Sequence, residues 1–135
     1  LPLHPGRYAD MLGQRMAAHG ATVWLVNTGW TGGQHGVGER MRLKDTRALL
    51  AAVLNGSMDS QEFRRCERFG WEVPLAAPDV DAALLDPRNT WDDVVAFDDK
   101  ADALSALFNT NFEQFADGVS AEVRAAAPRA GVTVG

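Results

Sequence analysis

The sequence predicts an α/β fold, and three features of its first half support that prediction. Apolar side chains recur at three- and four-residue spacing over 6–19, which predicts a helix. The apolar, β-branched run 22–26 then predicts a buried strand. A glycine-rich loop, 27–41, leads into a second predicted helix at 44–55. Because open sheets bind ligands at the carboxyl ends of their strands, we expect a ligand site at this loop.

The ends of the two helices are marked by residues with fixed backbone preferences. Pro5 suits the first turn of the first helix, and Gly20 suits its end. Asn55 and Gly56 predict the end of the second helix. We expect that helix to face the sheet with Thr46, Leu49, Leu50, Val53 and Leu54.

The second half predicts short strands followed by helices. Residues 61–78 indicate one or two short strands around a turn, and Pro74 limits any such strand to an edge. Residues 79–85 predict a short helix that ends before Pro87.

The longest helix is expected near the end of the chain. Thr90 is the predicted N-cap, and an apolar stripe runs from Val94 to Phe115 until Gly118 ends it. A last helix is expected at 120–127, and residues 128–135 are expected to form a frayed tail.

Charge is distributed unevenly along the chain. Residues 1–56 hold six Lys or Arg against three acidic residues, a net charge of +3, which leaves −8 on the remainder of a chain whose total is −5. Positive charge near the glycine loop suits an anionic ligand. The acidic remainder argues against a general nucleic-acid binder.

Several classes of site are not predicted. A single cysteine, Cys66, permits no internal disulfide, and His4, His19 and His35 are scattered over separate elements, so no metal site is expected. His4 is instead expected to be a hydrogen-bonding partner at the start of the first helix. No apolar run approaches the length of a membrane span, so we expect a cytoplasmic protein without membrane or nucleic-acid partners.

The glycine loop itself admits two interpretations from its residues alone. Gly33 and Gly38 have the spacing of a phosphate loop, but Glu39 stands where that loop needs lysine, and no Ser or Thr follows it. A phosphate loop is therefore not predicted here. The alternatives are a loop that approaches a ligand closely and a surface turn that needs only flexibility.

Five sequence blocks in one order resemble the C-terminal part of ATP-dependent phosphoenolpyruvate carboxykinases. They cover almost the whole chain, and they are Pro2–Pro5, Val26–Trp30, Gly38–Arg40, Lys44–Ala48 and Asp86–Trp91. The resemblance implies the C-terminal part of the carboxykinase mononucleotide-binding domain over residues 1–135, with short strands packed on helices and a long helix at its end. It also implies that the chain is one segment of a longer enzyme.

The resemblance implies an adenine-binding role for this segment. Arg40 and Met41 match the pair that flanks adenine in the family, and Thr46 matches the threonine that helps to seat the base. The cofactors implied are ATP and Mg²⁺ or Mn²⁺, with oxaloacetate as substrate. The phosphate loop, the metal ligands and the oxaloacetate-binding arginine of the family lie upstream of this segment, which is therefore expected to be inactive alone.

One position departs from the family pattern. Glu39 replaces the usual lysine before Arg40, so we expect weaker long-range attraction for ATP but no loss of the site. Two alternatives to the parent-enzyme hypothesis stay open. The chain is then either a stand-alone, non-catalytic nucleotide-binding or interaction module, or an inert fragment that associates with copies of itself.

Overall fold

A computed structural model describes residues 3–132. Its helices and strands, in chain order, are α1 (Pro5–His19), β1 (Trp30–Thr31), β2 (Glu39–Arg40), α2 (Leu43–Leu54), β3 (Phe63–Arg65), β4 (Glu72–Pro74), α3 (Val94–Glu113) and α4 (Ala121–Ala125). Two 3₁₀ turns, Ala82–Leu85 and Pro87–Thr90, lie between β4 and α3. This mixture of helices and short strands is compatible with the predicted α/β class.

The first helix confirms the sequence prediction at both ends. Pro5 occupies its first turn, and His4 Nδ1 accepts a hydrogen bond from the Gly6 backbone N–H at 3.2 Å. Gly20 ends the helix in the left-handed conformation, at φ 60°. Only glycine adopts this conformation without the steric penalty of a Cβ atom, which explains the sharp end of α1.

The predicted buried strand at 22–26 is wrong. This segment has no strand assignment, and Val23 and Leu25 are 59% and 77% exposed. A strand requires a hydrogen-bonded neighbour as well as β-branched residues. The strands of the described residues pair elsewhere, so the 22–26 backbone has none to join.

The strands form two separate antiparallel pairs. In the first, Trp30 lies opposite Arg40 and Thr31 opposite Glu39. In the second, β3 pairs with β4 around a turn at 66–71, which confirms the short strands predicted in 61–78.

The second helix is confirmed, but its predicted packing is wrong at two positions. It covers Leu43–Leu54, one residue earlier than predicted, and Asn55 is its C-cap. Leu50 and Leu54 are 44% and 85% exposed, so neither packs on a sheet. Hairpins of two or three residues per strand are too small to cover a helix of this length.

The segment before α3 forms 3₁₀ turns where an α-helix was expected. The helix predicted at 79–85 reduces to the 3₁₀ turn Ala82–Leu85, with Asp81 as its cap. The predicted N-cap of the long helix was also wrong: Asp93, not Thr90, accepts the hydrogen bond from the Ala96 backbone N–H, at 3.0 Å. Asp93 stands directly before the helix, where its carboxylate reaches the free N–H groups.

The C-terminal elements pack by hydrogen bonds as well as apolar contact. At 20 residues α3 is the longest helix, as predicted, and Ser120 caps the shorter α4. Residues 128–132 have no helix or strand, but the Arg129 N–H donates to the Arg68 carbonyl at 2.7 Å and the Gly131 N–H to Asp102 Oδ1 at 3.0 Å. The rest of the predicted frayed tail, 133–135, lies outside the described residues.

The core is small for the size of the chain. Among the described residues, the buried apolar side chains are Ala52, Met58 and Ala101. The chain exposes 9684 Å², whereas a compact monomer of this mass exposes roughly 6,900 Å². Much apolar surface therefore faces solvent.

Candidate functional site

The glycine-rich segment folds into a hairpin that leads directly into α2. The backbone of β1 pairs with β2, and the Met41 N–H extends this pairing by donating to the Gly29 carbonyl at 3.0 Å. Only Arg42 separates Met41 from the first residue of α2. We call the segment 29–41 the glycine hairpin. Backbone pairing holds its base closed, and the base lies one residue before α2.

The loop of the glycine hairpin needs glycine at two kinds of position. Gly32 and Gly36 have φ of 74° and 89°, which confirms the expected positive φ. Gly38 needs glycine for space, because a Cβ there would lie 2.7 Å from Gly33 backbone atoms and still closer to the Thr31 carbonyl oxygen. The tight approach of the two arms therefore depends on the absence of a side chain at Gly38.

Trp30 packs within the hairpin. Its ring meets the His35 ring edge to face, with centroids 4.8 Å apart, and Trp30 is 43% exposed. Trp30 is therefore not part of the buried core. The contact with His35 joins the start of the hairpin to its tip.

The three predicted site residues lie close together in the chain at the base of the hairpin. Arg40 is exposed at the end of β2, and Met41 is half-buried in the next position. Thr46 is half-buried in α2, where its N–H donates to the Arg42 carbonyl at 3.2 Å. Among residues 3–132 Arg40 forms no ion pair, so its guanidinium is available to a ligand.

An ion pair beside these residues was missed by the sequence predictions. Arg42 Nε donates to Asp45 Oδ2 at 2.8 Å, and Asp45 is buried with only 2% of its surface exposed. The hydrogen bond to Asp45 raises the pKa of Arg42 above its ordinary value. Opposite charges three residues apart at the start of the helix were the available signal. Asp45 also lies in the first turn of α2, where negative charge is favourable.

A second group of polar residues, in the segment 88–98, holds the glycine hairpin through Thr90. Thr90 Oγ1 accepts a hydrogen bond from the Gly32 N–H at 3.0 Å. Two residues earlier, the Arg88 guanidinium donates to both carboxylate oxygens of Asp98 at 3.0–3.3 Å. This bonding lowers the pKa of Asp98. The sequence predicted Arg88 only as part of a block and Thr90 only as a helix cap, because a contact across 58 positions has no local signature.

Two clefts lie away from the three predicted site residues. An apolar cleft of about 310 Å³ is formed by α3, α4 and the aromatic pair Phe69 and Trp71, whose rings stack at 4.8 Å. A more polar cleft of about 490 Å³ lies between β4 and the 3₁₀ turns, next to Arg64 and Asp86. Arg40, Met41 and Thr46 line neither of these two clefts.

No group of three or more His, Cys, Asp or Glu side chains in residues 3–132 is arranged to hold a metal ion. No helix in the same range is both long and apolar enough to cross a membrane.

Comparison with known proteins gives one family. The model of the phosphoenolpyruvate carboxykinase family matches residues 1–83, more than half of the chain. The chain is 54% identical over 96% of its length to phosphoenolpyruvate carboxykinase (ATP) of Mesorhizobium japonicum. It is 53% identical, over 94% and 96% of its length, to the proteins of the same name from Ruegeria sp. strain TM1040 and Thermus thermophilus. In each case it covers 24% of the relative, so the chain spans about a quarter of the length of these proteins.

Proposed function

Because the chain belongs to the ATP-dependent phosphoenolpyruvate carboxykinase family, we propose that it is part of an enzyme that converts oxaloacetate and ATP to phosphoenolpyruvate, CO₂ and ADP. Such a reaction serves glucose synthesis. Decarboxylation leaves an enolate, whose oxygen takes the γ-phosphoryl group of ATP as the bond to the β-phosphate oxygen breaks. A divalent cation, Mg²⁺ or Mn²⁺, neutralises charge on the phosphate oxygens in such reactions.

In that reaction, this chain binds the purine end of ATP. One observation carries the proposal: the glycine hairpin places Arg40 and Met41 directly before α2, in whose second turn Thr46 lies. The exposed Arg40 guanidinium stacks on the face of the base. The flexible Met41 thioether fills the gap beside it. Thr46 supplies a hydroxyl for the edge of the base.

The described residues do not fit a divalent cation, since no three suitable ligands come together. No step of catalysis is therefore assigned to this chain. The groups that stabilise charge on the transferring phosphate would come from elsewhere in the enzyme, and the chain alone should form no phosphoenolpyruvate.

A nucleotide titration tests the adenine site. In two-dimensional amide NMR spectra of the chain, MgATP and adenosine should both shift the amides of Arg40, Met41 and Thr46. Arg40→Ala should weaken the binding of both ligands by about tenfold, as expected for the loss of a stacked cation. Arg15→Ala is the matched control, because Arg15 is also exposed but lies in α1. An absence of shifts with adenosine, or an affinity that Arg40→Ala leaves unchanged, would contradict the adenine site.

A coupled assay for phosphoenolpyruvate tests the predicted inactivity. The chain with oxaloacetate, MgATP and Mn²⁺ should release no product. Nucleotide binding without turnover in a protein that naturally consists of this chain would favour the alternative of a non-catalytic nucleotide-binding module. Sedimentation would test self-association, which the exposed apolar surface supports.

A further inference from the structure

The side chain of Thr90 joins two parts of the molecule that are far apart in sequence. Its Oγ1 accepts a hydrogen bond from the Gly32 N–H at 3.0 Å and donates one to the Pro87 carbonyl at 2.7 Å. The hydroxyl thus uses both its donor and its acceptor capacity. It ties the glycine hairpin to the 3₁₀ turn Pro87–Thr90.

The turn that presents Thr90 is itself held from two directions. Arg88 forms its forked ion pair with Asp98 in α3. Asp86, the cap of the turn, pairs with Arg64 of β3 at 2.9 Å. Forked pairs between guanidinium and carboxylate fix orientation as well as distance. Thr90 is therefore a fixed point against which the hairpin is placed.

The restraint at Gly32 extends to the proposed nucleotide-binding residues through the pairing of β1 with β2. It follows β1 directly, and β1 is paired through its backbone with the strand that carries Arg40. A Cβ built on Gly32 would lie 3.4 Å from the Thr90 carbonyl oxygen, so the two backbones are nearly in contact. A shift of Gly32 would consequently move Arg40 and the adjoining Met41.

We propose that Thr90 is a positioning residue for the nucleotide site. It holds the glycine hairpin at Gly32 and so sets the placement of Arg40 and Met41 against the base. This inference rests on the proposed adenine site, and the hairpin restraint can also be measured without nucleotide.

Amide hydrogen exchange measures the restraint directly. Thr90→Val keeps the shape of the side chain but removes the hydroxyl, and it should accelerate exchange at the Gly32 and Met41 amides by about two- to tenfold, the range for loss of one hydrogen bond. Amides of α2 should keep their rates, whereas global destabilisation would raise them all. Thr90→Ser retains the hydroxyl and should restore slow exchange. Thr110→Val, at an exposed position of α3, is the matched control.

Titration with MgATP and with adenosine gives the functional readout. Thr90→Val should raise the dissociation constants of both ligands by a similar factor of about two to ten, and Thr90→Ser should restore them. Unchanged exchange at Gly32, unchanged affinity in Thr90→Val, or failure of serine to rescue would overturn the proposal. If the unsubstituted chain binds neither ligand, the adenine site is wrong, and Gly32 exchange still decides whether Thr90 holds the hairpin.

Discussion

Arg42 and Asp45 form an ion pair in which an exposed guanidinium holds a buried carboxylate. The Arg42 side chain is 70% exposed and that of Asp45 is 2% exposed, with 2.8 Å between Nε and Oδ2. The pair links the exit of the glycine hairpin to the first turn of α2. Thr46, the third proposed nucleotide-binding residue, is the next residue in the chain.

Arg42→Ala should lower the melting temperature of the chain. It leaves the Asp45 carboxylate buried without its partner, and a buried unpaired charge is unfavourable. Arg47→Ala removes an equally charged, exposed side chain from the same helix and should leave the melting temperature unchanged. Equal melting temperatures for the two variants, measured by circular dichroism, would show that the ion pair does not stabilise α2.

Acid titration should reveal the ion pair between Arg88 and Asp98. The hydrogen bond from Arg88 lowers the pKa of Asp98 below its ordinary value of 3.8. The stabilisation is therefore present above pH 3.8 and is lost as the pH falls through the lowered pKa of the folded state. Asp98→Asn should reduce stability at neutral pH and flatten its decline below about pH 4. Denaturant unfolding across this pH range measures both effects, with Asp99→Asn, at an exposed neighbour, as control.

Gly38→Ala should disrupt the glycine hairpin. Its Cβ would collide with backbone atoms of Gly33 and Thr31, which cannot move as a flexible side chain can. Gly13→Ala is the opposite case, since a Cβ on Gly13 meets nothing within 4 Å and the residue lies inside α1. It should stabilise the chain by about 0.5–1 kcal/mol. Nucleotide titration should show loss of ATP-induced shifts only for Gly38→Ala, and a retained response there would contradict a role for the tight hairpin.

Glu39→Lys should strengthen ATP binding but not adenosine binding. Glu39 is exposed, adjoins Arg40 and places negative charge where the family resemblance implies lysine. Reversal of this charge favours the triphosphate by a factor of about two to five at low salt, and the gain shrinks as salt screens it. Calorimetric titration of both ligands at two salt concentrations checks this. An equal change for uncharged adenosine would mean that Glu39 acts through the hairpin structure and not through charge.

Local interactions made much of the secondary structure predictable. Pro5 and Gly20 mark the two ends of α1 because each has a backbone preference that no neighbour alters. The end of α2 at Asn55 and the cap of α4 at Ser120 follow from the same kind of local bonding. In contrast, the strand predicted at 22–26 was wrong because strand formation depends on a partner, and composition does not supply one.

The residues around the proposed site also fall into two groups: those that the sequence places together and those that only the fold brings into contact. The order of residues alone places Arg40, Met41 and Thr46 near one another, since only five residues separate the first from the last. The sequence by itself therefore determined the α-helices α1 to α4, the glycine-rich turn and the family to which the chain belongs. Only the tertiary structure decided that Thr90 caps no helix and instead binds Gly32, and that Asp45 is buried against Arg42. Such contacts depend on which segments meet in space, and that is set by the packing of the whole chain.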